Sequence, residues 1–363
     1  MAQSEKLLTF IVPAYNAEKY LKECIDSLLN QTVSDHKIIL VNDGSTDHTG
    51  EIGRDYAEKF PDVVTYLEQE NRGQGSARNK GLALVDTEYV TFLDSDDYQN
   101  CMFVEKLRNE LKRHENVVDI VFTLPHVFDS TTGKLLPWRD KILFEQLFYP
   151  NGGYEDVVSV ELNVQNCCSF RLYDLETSAC RCVFRTAFLH TFGYCFAEGV
   201  KWEDVWPHFL SIHHAKCCIA MKSVGFIYRI NTAGQTTSGG NASRLDVAKV
   251  FTYALEQAKK EKWLNEEIAH IIHVCYDFTK WTISVTNRDY IVPVLDSLHR
   301  LFRSIPKNLL KAYYRNVNMT RRDRVVIWTL RSPFYKVFRD YRYRQMIWAL
   351  LQKLYQVRNK FRR

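Results

Sequence analysis

The sequence of 363 residues has no apolar run long enough to cross a bilayer. The purely apolar block near the C-terminus, Met346–Leu351, holds only six residues, whereas a spanning helix needs about 20. Residues 1–6 also lack the basic segment, followed by an apolar one, that is typical of a secretory signal. We therefore expect a cytoplasmic protein without a transmembrane anchor.

The ten cysteines lack the spacing of a metal site. Residues 167–168 and 217–218 are adjacent pairs, and Cys180 and Cys182 have no second pair to complete a zinc site. Because Cys180, Cys182 and Phe184 alternate along the chain, we expect a strand with both thiols on one face. The cysteines are predicted to be reduced and structural.

Neither of the two common glycine-rich phosphate loops is present. Residues 71–81 contain two glycines at GxG spacing, but Arg78 stands where the third glycine of GxGxxG is required, and no Walker A sequence occurs. No period of 20–50 residues repeats. These absences argue against a dinucleotide-binding fold, a P-loop protein and a repeat protein.

Charge is distributed unevenly along a chain whose overall composition is typical of folded proteins. The sequence is 46% hydrophobic and 25% charged, and its length predicts two domains. Residues 300–363 hold 18 Lys and Arg against two acids, a net charge of +16, whereas residues 1–299 have a net charge of −11. Two electrically different regions therefore share the chain.

Short β-branched or aromatic runs alternate with helical patterns in the first part of the chain. The predicted strands are Leu8–Val12, Lys37–Val41, Val63–Glu68, Tyr89–Leu93 and Val118–Leu124. One helix is predicted over 20–29 with Asn16 as its N-cap, and a second from Asp47 towards Phe60. This order predicts an α/β fold with a mostly parallel central sheet flanked by helices, which binds ligands beyond the carboxyl ends of its strands.

The alternation is lost over 128–166, where we expect loops and short elements that shape a site and determine specificity. After Gly239-Gly240 the pattern is helical, with helices predicted over 245–261, 264–286, 290–304 and 334–358. We therefore expect an α/β domain at 1–240 and a helical, basic C-terminal domain at 241–363.

Polar residues follow the first two predicted strands. The strands run into Pro13-Ala14-Tyr15-Asn16 and into Asn42-Asp43-Gly44-Ser45-Thr46-Asp47. The Asp43 carboxylate can accept a hydrogen bond from a nucleobase, and Gly44 permits close approach of a ligand. A helix cap is the alternative interpretation, and both hold if Asp47 caps while Asp43 binds.

Three carboxylates follow the fourth predicted strand, at Asp94, Asp96 and Asp97 around Ser95. Such a cluster repels itself unless a cation neutralises it, and Mg²⁺ or Mn²⁺ bridging to a diphosphate satisfies that need. The alternative is a solvated acidic turn, but the position at a strand end favours a metal site. Arg78 can hold a site carboxylate or a pyrophosphate, or is a surface arginine.

A later acidic pair, Glu203-Asp204, lies beside tryptophans at a predicted helix start. Such a pair can supply a general base, although first-turn acids of a helix have the same pattern. His208, His213 and His214 follow, and we interpret them as satisfied helix histidines rather than metal ligands.

Together these segments resemble the family 2 glycosyltransferases, inverting nucleotide-sugar enzymes of GT-A fold, over residues 7–240. The segments that carry the resemblance, in the order and at the spacing of the family, are residues 10–16, 42–47, 76–79, 94–97 and 203–204. The resemblance implies a nucleotide-sugar site, with UDP as the expected nucleotide and a divalent metal, Mn²⁺ or Mg²⁺. The residues implied in donor binding are Pro13, Tyr15, Asn16, Asp43, Gly44, Ser45, Arg78, Asp94 and Ser95.

The resemblance also implies individual roles. Asp43 contacts uracil, Asp94 lies near the ribose and shares the metal with Asp96, and Arg78 orients these carboxylates. Asp204 is the base that removes the acceptor proton, and Glu203 supports it. The implied acceptor is a growing, lipid-linked glycan in bacterial cell-surface polysaccharide synthesis.

Two departures from the family pattern affect these expectations. Asn42 stands where many relatives have a second aspartate, which leaves Asp43 alone to select the base. The segment 228–231, followed by residues 236–238, is similar to the closing Tyr-Arg and Ser/Thr segment of the family, but its spacing is altered. We assign no role to it.

The basic residues of 300–363 are interleaved with aromatic ones. This pattern favours an anionic membrane surface, which places the protein at the inner face of the cell membrane. A helical cap on the catalytic domain and a homo-oligomer contact are equally compatible with it. Two other functions remain open: an inactive nucleotide-sugar-binding scaffold, and a nucleic-acid-binding protein acting through the tail, although we expect no nucleic acid because no recognition motif accompanies it.

Overall fold

The computed structural model describes residues 6–114, 117–149, 157–160, 169–232, 240–317, 319–333 and 335–336. The chain divides into two compact units. Unit 1 comprises Met1–Ser169, Leu175–Gly199 and Leu210–Ala233, and unit 2 comprises Phe170–Asp174, Val200–Phe209 and Gly234–Arg363. The functional division at residue 240 stays a prediction.

The strands of unit 1 form one mixed sheet. They are β1 (Leu8–Ala14), β2 (His36–Asn42), β3 (Val64–Glu68), β4 (Tyr89–Phe92), β5 (Tyr98–Gln99), β6 (Ile120–Asp129), β7 (Lys134–Pro137), β8 (Val157–Val160), β9 (Cys182–Arg185) and β10 (Cys218–Ile230). Their order is β3-β2-β1-β4-β9-β6-β10-β5, with β7 on β6 and β8 on β10. The strands β3-β2-β1-β4 are parallel, as are β6 and β10.

The predicted α/β fold is confirmed, but the sheet is mixed rather than mostly parallel, since β5 and β8 pair antiparallel with β10 and β7 pairs antiparallel with β6. Strand β9 lies antiparallel between β4 and β6, so it interrupts the parallel arrangement. The predicted bounds of β1 to β4 agree with the structure to within two residues. Strand β1 is buried along its whole length, which explains its continuous apolar sequence.

Seven helices are described between residues 21 and 214. They are α1 (Leu21–Leu29), α2 (Thr49–Lys59), α3 (Gln74–Leu82), α4 (Phe103–Leu111), α5 (Lys141–Phe148), α6 (Thr186–Thr191) and α7 (Val205–His214). Helix α1 buries Leu21, Cys24, Ile25 and Leu28, the stripe that its periodicity predicts. Between residues 128 and 149, the expected short elements are β7 and α5.

Unit 2 is helical over its described residues after 240. Its helices there are α8 (Asp246–Lys260), α9 (Asn265–Val285), α10 (Arg288–Ser304), α11 (Lys307–Asn316) and α12 (Arg321–Arg331). The predictions at 245–261, 264–286 and 290–304 are confirmed. Helices α11 and α12 were not predicted, and most of the predicted helix at 334–358 lies outside the described residues. No helix among the described residues has the length and apolar character that crossing a bilayer requires.

Two local predictions were wrong. Cys180 lies in a short 3₁₀ helix (Ala179–Arg181), and only Cys182 begins a strand, so the two thiols do not share a strand face. Asn16 does not cap α1, whose N-cap position is Tyr20. Asn16 instead has a positive φ of 49° in the loop after β1, a conformation that asparagine tolerates better than most residues.

Candidate functional site

The loops that follow β1 and β2 are joined by hydrogen bonds at the carboxyl edge of the sheet. The Asn16 side-chain oxygen accepts from the Thr46 backbone N–H at 2.8 Å, and the Asn16 N–H donates to Ser45 Oγ at 3.0 Å. Pro13 belongs to β1, and Tyr15 beyond it is 50% exposed. The structure therefore brings the predicted donor-site residues Asn16 and Ser45 together on two linked loops, with Tyr15 beside Asn16 and Pro13 at the end of β1.

Asp43 is buried, and its carboxylate holds the neighbouring loop. Its Oδ1 accepts from Gln69 Nε2 at 2.7 Å and from the Arg72 N–H at 2.9 Å, and its Oδ2 accepts from the Gly73 N–H at 2.8 Å. A carboxylate offers about four acceptor positions, so one remains for a ligand donor. Asp43 therefore has a structural role that the sequence did not indicate. Its predicted contact with a nucleobase stays a prediction.

Gly44 allows this loop to approach the sheet edge closely. Its φ is +69°, and a Cβ added there would lie 2.7 Å from the backbone nitrogen of Asn71. A side chain would displace a backbone atom, because real Cβ contacts are longer. At Gly44 a loop of the protein itself approaches closely, and the predicted approach of a ligand there stays a prediction.

Arg78 contacts the first carboxylate of the acidic turn from helix α3. Its Nη2 donates to Asp94 Oδ1 at 2.7 Å, and Gln74 Nε2 donates to the same oxygen at 2.7 Å. The guanidinium also lies 5.2 Å from the ring centroid of Phe196. Arg78 is buried, which excludes the surface-arginine alternative and agrees with an orienting role.

Asp94, Asp96 and Asp97 converge after β4, with ligand oxygens within 4.8 Å of one another. The Asp97 N–H donates to the Asp94 carbonyl at 3.0 Å, which closes the turn around Ser95. Burial and the neighbouring Asp94 carboxylate raise the pKa of Asp96 to about 6. Burial, with the charges of Asp96 and Asp94, also raises the pKa of Asp97 well above its ordinary value.

This cluster fits a hard divalent cation. Asp97 is fully buried, and its Oδ2 accepts no hydrogen bond in the described part of the protein. An orphaned carboxylate oxygen beside two further carboxylates is unfavourable without a positive charge, and Mg²⁺ and Mn²⁺ prefer such oxygen ligands. The structure thus adds Asp97 to the predicted ligands Asp94 and Asp96.

Residues at the end of β10 complete the surroundings of the acidic turn. The Arg229 N–H donates to Asp97 Oδ1 and its Nε donates to the Asp96 carbonyl, both at 2.8 Å. Thr232 Oγ1 lies 3.4 Å from Asp96 Oδ2. The sequence singled out residues 228–231 without assigning a role, so these contacts are a finding of the structure.

Glu203 and Asp204 belong to unit 2. Asp204 occupies the N-cap position of α7, where its carbonyl accepts the His208 N–H at 3.0 Å, and its side chain is half-buried. Glu203 is buried. His208 Nε2 lies 3.4 Å from the Tyr173 carbonyl, which agrees with a satisfied helix histidine.

Comparisons with known proteins agree with the family resemblance of the sequence in the N-terminal part of the chain. Residues 9–176 match the model of the family described as Glycosyl transferase family 2. Glycosyltransferase GlyA of Streptococcus pneumoniae is 41% identical over 126 residues, 35% of this chain and 18% of that protein. The minor teichoic acid biosynthesis protein GgaB of Bacillus subtilis is 42% identical over 127 residues, 34% of this chain and 14% of that protein. The chain thus spans less than a fifth of the length of these relatives.

Solved structures resemble the chain over a longer range. S. aureus TarS 1–349, in complex with UDP-GlcNAc, has a TM-score of 0.66 at 19% identity over 93% of each chain. The mannosyltransferase PcManGT from Pyrobaculum calidifontis, in complex with GDP-Man and Mn²⁺, has a TM-score of 0.52 at 17% identity over 91% of this chain and 85% of that one. At this identity the likeness establishes the fold. Residues 9–176 therefore match Glycosyl transferase family 2, and the chain has the GT-A fold of these solved structures.

Proposed function

We propose that the protein is an inverting, metal-dependent glycosyltransferase that moves a sugar from a nucleotide sugar to an acceptor hydroxyl. The observation that carries the proposal is the convergence of Asp94, Asp96 and Asp97 at the carboxyl edge of the sheet, with Arg78 on Asp94. A diphosphate needs positive charge, and this edge holds both an arginine and a group that can bind a cation.

The nucleotide sugar binds on the linked loops that follow β1, β2 and β4. Tyr15 offers an exposed ring, and Asp43 retains one acceptor position for a base N–H. UDP is the proposed nucleotide, since TarS was solved with UDP-GlcNAc and one carboxylate suffices for the uracil N–H. Asp94, Asp96 and Asp97 would hold Mn²⁺ or Mg²⁺, which neutralises charge on the diphosphate.

Transfer proceeds by proton removal and a single displacement. Asp204 accepts the proton of the acceptor hydroxyl while that oxygen forms a bond to the anomeric carbon. The bond between the anomeric carbon and the phosphate oxygen breaks, and the nucleoside diphosphate leaves with the bonding electrons on the opposite face. Glu203 supports Asp204, and the configuration at the anomeric carbon inverts.

The proposed acceptor is a glycan of cell-surface polysaccharide synthesis, carried on a lipid at the inner face of the cell membrane. GgaB is named for teichoic acid biosynthesis, which supports a surface glycan. In the described part of the basic region, α12 exposes Val325 and Trp328 beside Arg321, Arg322 and Arg324. Exposed apolar and basic groups on one helix suit an anionic membrane surface.

Titration calorimetry tests the donor site. UDP, GDP and CDP are titrated with and without Mn²⁺ into the wild type, Asp96→Ala and the surface control Asp86→Ala. We expect UDP binding that requires Mn²⁺ and Asp96, with the Asp86 variant unchanged, since Asp86 pairs with Lys37 on the surface. No nucleotide binding by the wild type would contradict the proposal.

Flotation tests the membrane contact on the full chain. The double variant Val325→Ser/Trp328→Ser is compared with the wild type and with Leu264→Ser, another exposed apolar residue of unit 2. We expect the wild type and Leu264→Ser to float with vesicles of phosphatidylglycerol and phosphatidylcholine. The double variant should stay in the bottom fraction of the gradient. Equal flotation of all three proteins would show that the exposed face of α12 does not bind the membrane.

A further inference from the structure

The turn that leads into Asp204 has an unusual backbone conformation. Trp202 has a φ of +65°, in the left-handed region that bulky side chains rarely adopt. Such a conformation persists only where its surroundings determine it, and it recurs at functional sites. Contacts of Trp202 within unit 2 must therefore stabilise this conformation.

An aromatic cluster surrounds the Trp202 ring. Its centroid lies 5.1 Å from that of Trp281, at an interplanar angle of 88°, and 5.8 Å from that of Phe278, at 78°. Both partners belong to α9, so one face of a long helix fixes the indole. Edge-to-face packing at these distances is favourable and directional.

A buried arginine completes the cluster. The Arg244 guanidinium lies 4.2 Å from the centroid of Trp281 and 5.4 Å from that of Trp202. Burial lowers the pKa of Arg244 to about 10, so the side chain stays charged at neutral pH. A cation near two indole rings is attracted to both, which links the turn to α9.

Hydrogen bonds fix the two ends of the same turn. The Lys201 N–H donates to Asp246 Oδ2 at 3.1 Å, at the start of α8. The Trp202 carbonyl accepts the Val205 N–H at 3.2 Å, and the first turn of α7 holds the Asp204 carbonyl. The backbone on both sides of Glu203-Asp204 is thus hydrogen-bonded to α7 and α8.

We infer that Trp202, Trp281 and Arg244 are positioning residues that fix the Asp204 carboxylate for proton removal. This inference rests on the proposed function, because it needs Asp204 to act as the base. A general base must lie within hydrogen-bond reach of the proton that it removes, and small displacements reduce the rate strongly. The rigid turn holds Asp204 in a fixed position. The left-handed conformation of Trp202 lets its ring pack in the aromatic cluster while the chain continues into α7.

A double-mutant cycle on the full chain tests the inference. Trp202→Phe retains a ring, whereas Trp202→Gly tolerates the positive φ but removes the ring. Each is measured alone and in the Asp204→Asn background, and Trp281→Phe provides a second probe if a Trp202 variant folds poorly. Phe302→Leu is the control, since Phe302 is a fully buried aromatic on α10 that contacts Tyr276 instead.

The readouts are kcat for sugar transfer, KM for the donor and UDP affinity with Mn²⁺. We expect Trp202→Gly to lower kcat about 100-fold, the effect of misplacing a catalytic group by about 1 Å, with KM and UDP affinity unchanged. Trp202→Phe and Trp281→Phe should lower kcat less, and Phe302→Leu should leave it unchanged. In the Asp204→Asn background, Trp202→Gly should add no further loss.

Two contrary results are distinguishable. If Asp204→Asn lowers kcat but Trp202→Gly leaves it unchanged, or lowers it equally in both backgrounds, Trp202 does not act through Asp204 and the inference is wrong. If Asp204→Asn leaves transfer unchanged, the proposed base is wrong and the inference falls with it.

Discussion

Two turns that bear carboxylates, one in each unit, are held by different kinds of contact. The turn at residues 94–97 in unit 1 is surrounded by polar groups: Arg78 and Gln74 donate to Asp94, and Arg229 contacts Asp96 and Asp97. The turn at residues 201–204 in unit 2 is held through the aromatic ring of Trp202. Three converging carboxylates require compensating charge, whereas Asp204, as the proposed proton acceptor, requires a fixed position.

The largest expected effects come from removing one carboxylate charge from each turn. Asp204→Asn should lower kcat by about 10²–10⁴-fold, the usual contribution of a general base, while UDP affinity with Mn²⁺ stays unchanged. Asp96→Asn should abolish Mn²⁺-dependent UDP binding, because it removes a charged oxygen ligand. Steady-state kinetics and calorimetry on the same preparations separate the two effects. A loss of UDP binding in Asp204→Asn would show that the turns do not act separately.

The polar contacts of the first turn are tested by Arg78→Lys. An ammonium cannot keep both the bond to Asp94 and the planar contact with Phe196, so we expect about tenfold weaker UDP binding with Mn²⁺, or about 1.4 kcal/mol. Arg54→Lys is the matched control, since Arg54 pairs with Glu68 on the surface. Unchanged calorimetric affinity in Arg78→Lys would mean that Asp94 does not depend on the arginine.

The sequence predicts the first turn better than the second. The runs that become β1 to β4 are short, apolar and locally periodic, and Asp94 follows one of them directly. Parallel strands place their carboxyl ends at one edge, so the convergence of these loops follows from local patterns. The contacts of Arg229 do not, because more than 130 residues separate it from the acidic turn.

Unit 2 shows where prediction from local sequence patterns succeeds and where it fails. Helices α8, α9 and α10 have strong apolar periodicity and were predicted, but α12 buries only Val326, Ile327 and Leu330 among charged neighbours. Its apolar pattern is too sparse to separate it from a basic segment of irregular structure. The cluster around Trp202 joins elements that are distant along the chain, so no local pattern indicates it.

A backbone test compares two glycines of unit 1. Gly44 and Gly133 both have positive φ, but only Gly44 faces an obstacle, the Asn71 nitrogen, whereas nothing lies within 4 Å of a Cβ at Gly133. Gly133→Ala should cost about 1 kcal/mol through backbone strain alone. Gly44→Ala should cost about 1–3 kcal/mol more, because the 69–73 loop must move. Urea unfolding of both variants measures the difference, and equal losses would mean that the loop adapts.

The smallest expected effect concerns Asp323 in unit 2, a carboxylate whose pKa moves in the opposite direction to those of the acidic turn. Burial acts to raise the pKa of Asp323, but hydrogen bonds from Thr320 and Tyr276 outweigh it and lower the pKa. Thr320 Oγ1 donates to Asp323 Oδ2 at 2.7 Å, the Asp323 N–H donates back to that hydroxyl, and Tyr276 Oη donates to Oδ1 at 2.8 Å. Asp323 thus completes the capping box of α12, whose N-cap is Thr320, and joins this helix to α9.

Asp323→Asn should therefore lower the free energy of unfolding by about 1 kcal/mol at neutral pH, as for the loss of a helix cap. A carboxyl whose pKa is lowered by folding stabilises the protein above its unfolded value of 3.8, and this contribution is lost as the pH falls through the lower native value. The difference between wild type and variant should hold from pH 7 to 5 and shrink below pH 4, as urea midpoints measure. Asp289→Asn, at an exposed first-turn position of α10, should change the midpoint less at every pH. If the two variants behave alike, the charge near the helix start, rather than the specific contacts of Asp323, accounts for the effect, and the hydroxyl of Tyr276 contributes nothing to the joint between α9 and α12.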